Sequence, residues 1–149
     1  MEIQGTVRDI LLSKSTDVWT TNAEASVYEA IGLMGEHNIG ALVVMEGGKV
    51  AGVISERDYS RKVVLRGRTS RDTLVSDILS RPAIIVHPMD GVELCMELMT
   101  KHRIRHLPVM EQDSLIGLVS MGDIVNWMLQ TQRHLIHQLQ GYISGEYPG

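Results

Sequence analysis

Residues 27–58 align with residues 92–123 under a shift of 65 positions, without a gap. Val27 meets Val92, Leu33-Met34 meets Leu98-Met99, His37 meets His102, and Ile39 meets Ile104. Leu42 meets Leu107, Val44-Met45-Glu46 meets Val109-Met110-Glu111, and Gly52, Ser55 and Asp58 meet Gly117, Ser120 and Asp123. These are twelve identities in thirty-two positions. A lead-in repeats as well: Val7-Arg8-Asp9-Ile10-Leu11 resembles Val75-Ser76-Asp77-Ile78-Leu79, under a shift of 68. The segment between lead-in and core is therefore shorter in the second copy, a change that loops absorb most easily. A unit of this size cannot bury its apolar face alone, so the two copies are expected to pack against each other.

Both copies carry the same local pattern. Ser26 and Glu29 have capping-box spacing, and Asp90 and Glu93 offer it in the second copy. Val27, Ala30, Ile31 and Met34 then recur at helical spacing, as do Val92, Cys95, Met96 and Met99. Ala41 to Met45 and Leu107 to Met110 read as strands, followed by turn residues and by second strands, Val50 to Ile54 and Leu115 to Val119. A final helix of the first copy is expected from about Glu56 to Arg66, capped by Gly67. The fold class is α+β: two β-α-β-β-α repeats packed as a pseudo-twofold pair. Expected boundaries are 7–66 for the first repeat, 67–74 for a polar linker, 75–130 for the second repeat, and 131–149 for a helical extension and tail.

The remaining composition narrows the class. The net charge is -4, with no global pull toward nucleic acid or membrane. One cysteine, Cys95, excludes an internal disulfide framework and suits a reducing compartment. The first nine residues hold no apolar signal core, and no run reaches the roughly 20 apolar residues of a membrane span. The expectation is a cytoplasmic protein. No Gly-rich phosphate loop, Cys/His metal set or nucleophile constellation is present, so neither catalytic nor metal-binding residues are expected.

Gly52-Val53-Ile54-Ser55-Glu56-Arg57-Asp58 with Gly117-Leu118-Val119-Ser120-Met121-Gly122-Asp123 resembles the paired motif of tandem cystathionine-β-synthase (CBS) domains. His37 to Val44 and His102 to Val109 extend that resemblance, which covers roughly residues 7 to 130. It implies clefts between the units that bind adenosine ligands: AMP first, or ADP, ATP, NAD(H) or S-adenosylmethionine. It implies frequent homodimers and a regulatory role, exerted here on an unknown protein partner in trans, with no catalytic cofactor.

The residues suit that ligand. An ionised Asp at a helix start can accept both ribose hydroxyls, which places Asp58 and Asp123 at the sugar. Ser55 and Ser120 stand where a strand yields to a helix, so hydroxyl and backbone N–H groups can face phosphate. Thr20-Thr21 and Ile84-Ile85-Val86 are expected to form the adenine slot. By the resemblance, Arg105 and His106 supply phosphate cations to the cleft of Asp123, with Trp19 and Gly40 on its opposite wall. The cleft of Asp58 has Arg57 in compensation, or Arg105 reaching across, and ranks second as an AMP site.

The plainer readings are that both Asp and both Ser residues only cap helices, and that His37 and His102 complement helix C-termini. The basic run of Arg57, Arg61, Lys62, Arg66, Arg68 and Arg71 is a solvated face before it is a nucleic-acid surface, since only Tyr59 is aromatic within it; its narrower functional use is to receive the phosphate tail of ATP or NAD. Ile124, Val125, Met128, Leu135, Ile136 and Leu139 continue at helical spacing toward Gly141, and predict a dimer contact or docking face. An interaction protein with empty clefts and, more distantly, a nucleotide-processing enzyme are the rival functions.

Overall fold

The computed structural model describes residues 4–14 and 17–144, with side chains through residue 141; the first three residues and most of the expected tail lie outside the described residues. The elements run α1 (Val7–Leu12), β1 (Thr20–Asn22), α2 (Val27–His37), β2 (Ala41–Glu46), β3 (Lys49–Ser55) and α3 (Glu56–Tyr59), whose chain continues through a π-helical turn at Ser60–Val64. A second series follows: α4 (Val75–Ile78), α5 (Val92–His102), β4 (His106–Glu111), β5 (Ser114–Ser120) and α6 (Met121–Ser144).

Each copy centres on a hairpin under a helix. β1 pairs parallel with β2, and β2 antiparallel with β3. β4 and β5 form the matching hairpin, with the same register shift at Val109/Met110 as at Val44/Met45. The expected first strand of the second copy is reduced to a single parallel bridge between Val86 and Val109. Gly47 and Gly48 both take positive φ, 59° and 77°, as a tight hairpin turn between right-twisted strands requires.

The lead-in helices exchange partners. Val7, Ile10 and Leu11 of α1 are buried in the core of the second copy, with Val92, Cys95, Met99, Leu107 and Ile124. Val75, Ile78 and Leu79 are buried in the core of the first copy, with Val27, Met34, Leu42 and Ile54. Backbone bonds fix the exchange: Val7 N–H donates to the Asp90 carbonyl at 2.9 Å, and Val75 N–H to the Ala25 carbonyl at 2.8 Å. Glu111 pairs with Arg8, and Glu46 with Arg81, so the two identical Glu positions each hold the other copy's lead-in. Each core is therefore completed by the other copy's lead-in, which is how the two copies pack against each other.

Three local expectations are corrected. Asp90 caps no helix; its carboxylate accepts the His87 N–H at 2.7 Å, and Gly91 is the residue before α5. Only half of the Ser26 box forms, with Glu29 N–H donating to Ser26 Oγ at 3.1 Å. The helix expected from Glu56 to Arg66 leaves α geometry after Tyr59, although Gly67 ends it at positive φ as expected. His37 and His102 close α2 and α5, each followed by a left-handed residue, Asn38 or Arg103. Among the described residues, no helix is long and apolar enough to cross a membrane.

Candidate functional site

A cleft of about 670 Å³ opens where the copies meet. One wall is the junction of β3 and α3, from Ser55 to Asp58, with Arg61 and Lys62 one turn on. A second wall is the segment Ser80 to Ile84, which leads into the second copy. The third runs from His102 at the end of α5 to His106 at the start of β4. Arg57, Arg61, Lys62, Arg81, Arg103 and Arg105 line this space together with the acids Glu56 and Asp58. A chain of net charge -4 has therefore gathered a cation-rich cleft.

Asp58 is the third residue of its helix, and Ser55 is the cap itself. Its Oδ2 accepts from Ser55 N–H at 2.9 Å and Ser55 Oγ at 3.0 Å, while Asp58 N–H donates to Ser55 Oγ at 3.2 Å. The capping reading of both residues is thus realised. Oδ1 faces Lys62 Nζ at 3.1 Å, and Lys62 also donates to the Ile78 carbonyl at 2.8 Å. Each carboxylate oxygen has two acceptor positions, so Oδ1 can still take a ligand hydroxyl.

The second acid repeats half of this arrangement. Asp123 Oδ2 accepts from Ser120 N–H at 2.8 Å, and Asp123 N–H donates to Ser120 Oγ at 3.0 Å. Its cation comes from the other copy: Lys14 Nζ lies 2.6 Å from Asp123 Oδ2 and 2.9 Å from the Leu118 carbonyl.

Several predicted residues stand elsewhere than the sequence suggests. Arg105, His106 and Gly40 line the cleft of Asp58; for Arg105 this is the second of its two expected placements, reaching across, while His106 and Gly40 were expected at the cleft of Asp123. The Arg105 carbonyl accepts Met121 N–H at the head of α6, and Arg105 also lines the cleft of the other copy's acid. Of the adenine segments, Ile84 lines the Asp58 cleft, but Val86 is fully buried in the second core and Thr21 is buried in β1. Thr20 is exposed on β1, and Ile85 is exposed as well. Trp19 stacks on His37, with ring centroids 3.5 Å apart. Arg61 and Lys62 belong to the basic run read as able to receive a phosphate tail, whereas Arg81 and Arg103, which also line the cleft, were not singled out.

His106 is within electrostatic reach of both acids. Burial pushes its imidazole below the usual range, Asp123 and Asp58 pull it up, and Lys14 and Arg105 push it down.

Residues 7–64 and 75–130 match the CBS domain family. The chain is a CBS pair. It is 41% identical over 152 residues to the CBS domain-containing protein CBSX3, mitochondrial, of Arabidopsis thaliana, covering 95% of this chain and 73% of that protein. A putative signal-transduction protein with CBS domains from Burkholderia ambifaria superposes with a TM-score of 0.82 at 44% identity, over 86% of this CBS pair and 96% of that chain. The CBS pair of protein MJ0100, solved with 5′-methylthioadenosine and S-adenosyl-L-methionine, shares the fold at a TM-score of 0.75 and 24% identity, over 87% of this chain and 99% of that one. CBS pairs are in general regulatory, nucleotide-binding modules.

Proposed function

We propose that this CBS pair is a regulatory sensor that binds an adenine nucleotide in the Asp58 cleft and passes its occupancy to a separate protein. The observation that carries the reading is the convergence of Asp58 with six cationic side chains in one cleft between the copies. The carboxylate suits a ribose diol. The cations suit a phosphate tail, and Ala83 and Ile84 give the cleft an apolar side for a purine. This reverses the ranking drawn from sequence, which favoured Asp123.

The charge balance also ranks the ligands. Added phosphates gain attraction in a cleft with this excess of cations, whereas a sulfonium is repelled. ADP, ATP and NAD(H) therefore bind more tightly than AMP, and S-adenosylmethionine binds weakest. Calorimetric titration of the purified protein tests this order. Equal or tighter binding of S-adenosylmethionine overturns it, and silence from every adenosine compound favours an interaction protein with empty clefts.

Signalling requires that ligand favour one conformation over another. The cleft walls belong to different copies, so closure around a nucleotide moves one core relative to the other. The exposed Leu135, Ile136 and Leu139 on α6 support a homodimer as the receiving assembly. Light scattering of the chain and of Leu135→Glu checks that part: a dimer in the first, a monomer in the second.

A further inference from the structure

Each oxygen of the Asp58 carboxylate has two acceptor positions. Ser55 fills both on Oδ2, with its N–H at 2.9 Å and its Oγ at 3.0 Å. Lys62 takes one on Oδ1, with its Nζ at 3.1 Å. Among the described residues a single position is left open, whereas the cis-diol of a ribose brings a pair of hydroxyl donors. The Ser55 bonds form the cap of α3, so releasing them costs helix stability. Lys62 is the contact that can move.

The fold does not need an ammonium there. Lys62 lies in the π-helical turn Ser60–Val64, where Leu65 N–H donates to the Ser60 carbonyl at 3.0 Å, a geometry frequent at functional sites. The equivalent stretch of the second copy, residues 125–129, lies within α6, and Lys62 becomes Trp127, packed against the second core. The Lys62 side chain is 41% exposed and follows Asp58 by four residues, which makes the pair one of the weak, solvent-screened kind. Its other bond, 2.8 Å to the Ile78 carbonyl, reaches the last residue of α4, just before the Ser80 to Ile84 wall of the cleft. A phosphate tail entering among Arg57, Arg61 and Arg81 offers Lys62 several anionic oxygens in place of one carboxylate oxygen.

We propose that Lys62 sets the specificity of the Asp58 cleft for phosphorylated ligands. At rest its ammonium holds the acceptor position that the second ribose hydroxyl needs. The phosphate of a nucleotide draws it off, so phosphate and ribose are taken up together, whereas a free nucleoside must displace Lys62 unaided and binds weakly. The inference rests on the adenine-nucleotide reading of this cleft. Transfer of Lys62 also releases the Ile78 carbonyl, and with it a tie between the helical turn and the neighbouring wall.

The test is calorimetric titration with adenosine and, separately, with ATP. Lys62→Met keeps the aliphatic stem and frees Oδ1. Adenosine is expected to bind it about 2- to 5-fold more tightly than wild type, the factor a part-exposed ion pair is worth. ATP is expected to bind it roughly 10-fold more weakly, as for a lost bond between charged groups. Lys62→Gln, which keeps a donor for the Ile78 carbonyl, shifts both affinities in the same directions. Arg61→Met removes a cation of the same cleft but leaves Lys62 on Asp58, so it weakens ATP without tightening adenosine. A folding defect lowers both affinities together, so the opposite signs belong to Lys62. Adenosine bound by wild type as tightly as ATP overturns the proposal, as does an adenosine affinity unchanged or lowered in Lys62→Met. If ATP binds wild type and adenosine ignores Lys62→Met, the cleft reading stands and the role of Lys62 falls. If ATP does not bind wild type, the reading of the cleft fails, and the inference with it.

Discussion

Gly52 of β3 lies directly beneath the backbone of Ser80, on the segment that carries the chain out of the first core and into the second. A Cβ at Gly52 would collide with the Ser80 carbonyl oxygen and with Leu79. The equivalent Gly117 faces a side chain instead, and its Cβ would meet Leu11 Cδ2 at 2.7 Å. Both glycines are empty so that the other copy's lead-in can cross the hairpin.

The difference between them is measurable. Backbone cannot step aside as a leucine rotamer can, so Gly52→Ala is the more damaging change. We expect a loss of roughly 1–3 kcal/mol, the usual range for overpacking, against a smaller loss for Gly117→Ala. Urea unfolding of the two variants checks the order. Because Ser80 also lines the cleft, Gly52→Ala weakens nucleotide binding as well.

Ser55 couples fold to site. Ser55→Ala removes both the acceptor for Asp58 N–H and one donor to Asp58 Oδ2. A lost cap of this kind costs on the order of 1 kcal/mol. The carboxylate is also left less well aimed, so the expected result is a modest drop in melting temperature together with weaker ATP binding. A drop in stability with unchanged affinity would confine Ser55 to capping.

His106 gives the pair a pH dependence of definite sign. Its folded pKa is lowered, so the unfolded chain binds the proton more readily. Its contribution is full at pH above about 6.5, the ordinary value for histidine, and is lost as pH falls from there through the lowered folded value. Chemical denaturation between pH 5 and 8, a span set by that reference value, is expected to show stability declining toward acid, with a flatter profile in His106→Gln. A profile unchanged by that substitution would remove His106 from the account.

Cys95 is expected to be inert in the folded chain. It is fully buried, and burial with the nearby Asp90 charge pushes its thiol up to about 11. A thiol reagent near pH 8 should react at the rate of unfolding, and at once in denaturant. Rapid labelling of native protein would mean that the second core opens around α1.

The hairpins, both α2 and α5, and the long α6 were legible because their signals are local: period, turn residues and a gapless repeat. The exchange of α1 and α4 was not. Val7-Arg8-Asp9-Ile10-Leu11 and Val75-Ser76-Asp77-Ile78-Leu79 carry the same apolar spacing, and either core satisfies it equally well. The same blindness left both placements of Arg105 open. A repeat tells which positions are equivalent, but whether a side chain at the centre of the pair serves its own acid or its neighbour's depends on how the hairpins cross. Asp58, Ser55 and Arg57 were legible as one group because they share one strand-to-helix junction, where local sequence sets geometry, and they line one cleft. Asp90 failed as a cap because its carboxylate closes a turn on His87 N–H instead.

The most direct measurement is the melting temperature with and without ATP for wild type, Asp58→Asn and Asp123→Asn. Ligand at 100 times its dissociation constant stabilises a fold by about 2.7 kcal/mol. The account predicts an upward shift in wild type, its loss in Asp58→Asn, and its retention in Asp123→Asn. A shift that survives Asp58→Asn and disappears with Asp123→Asn would contradict it.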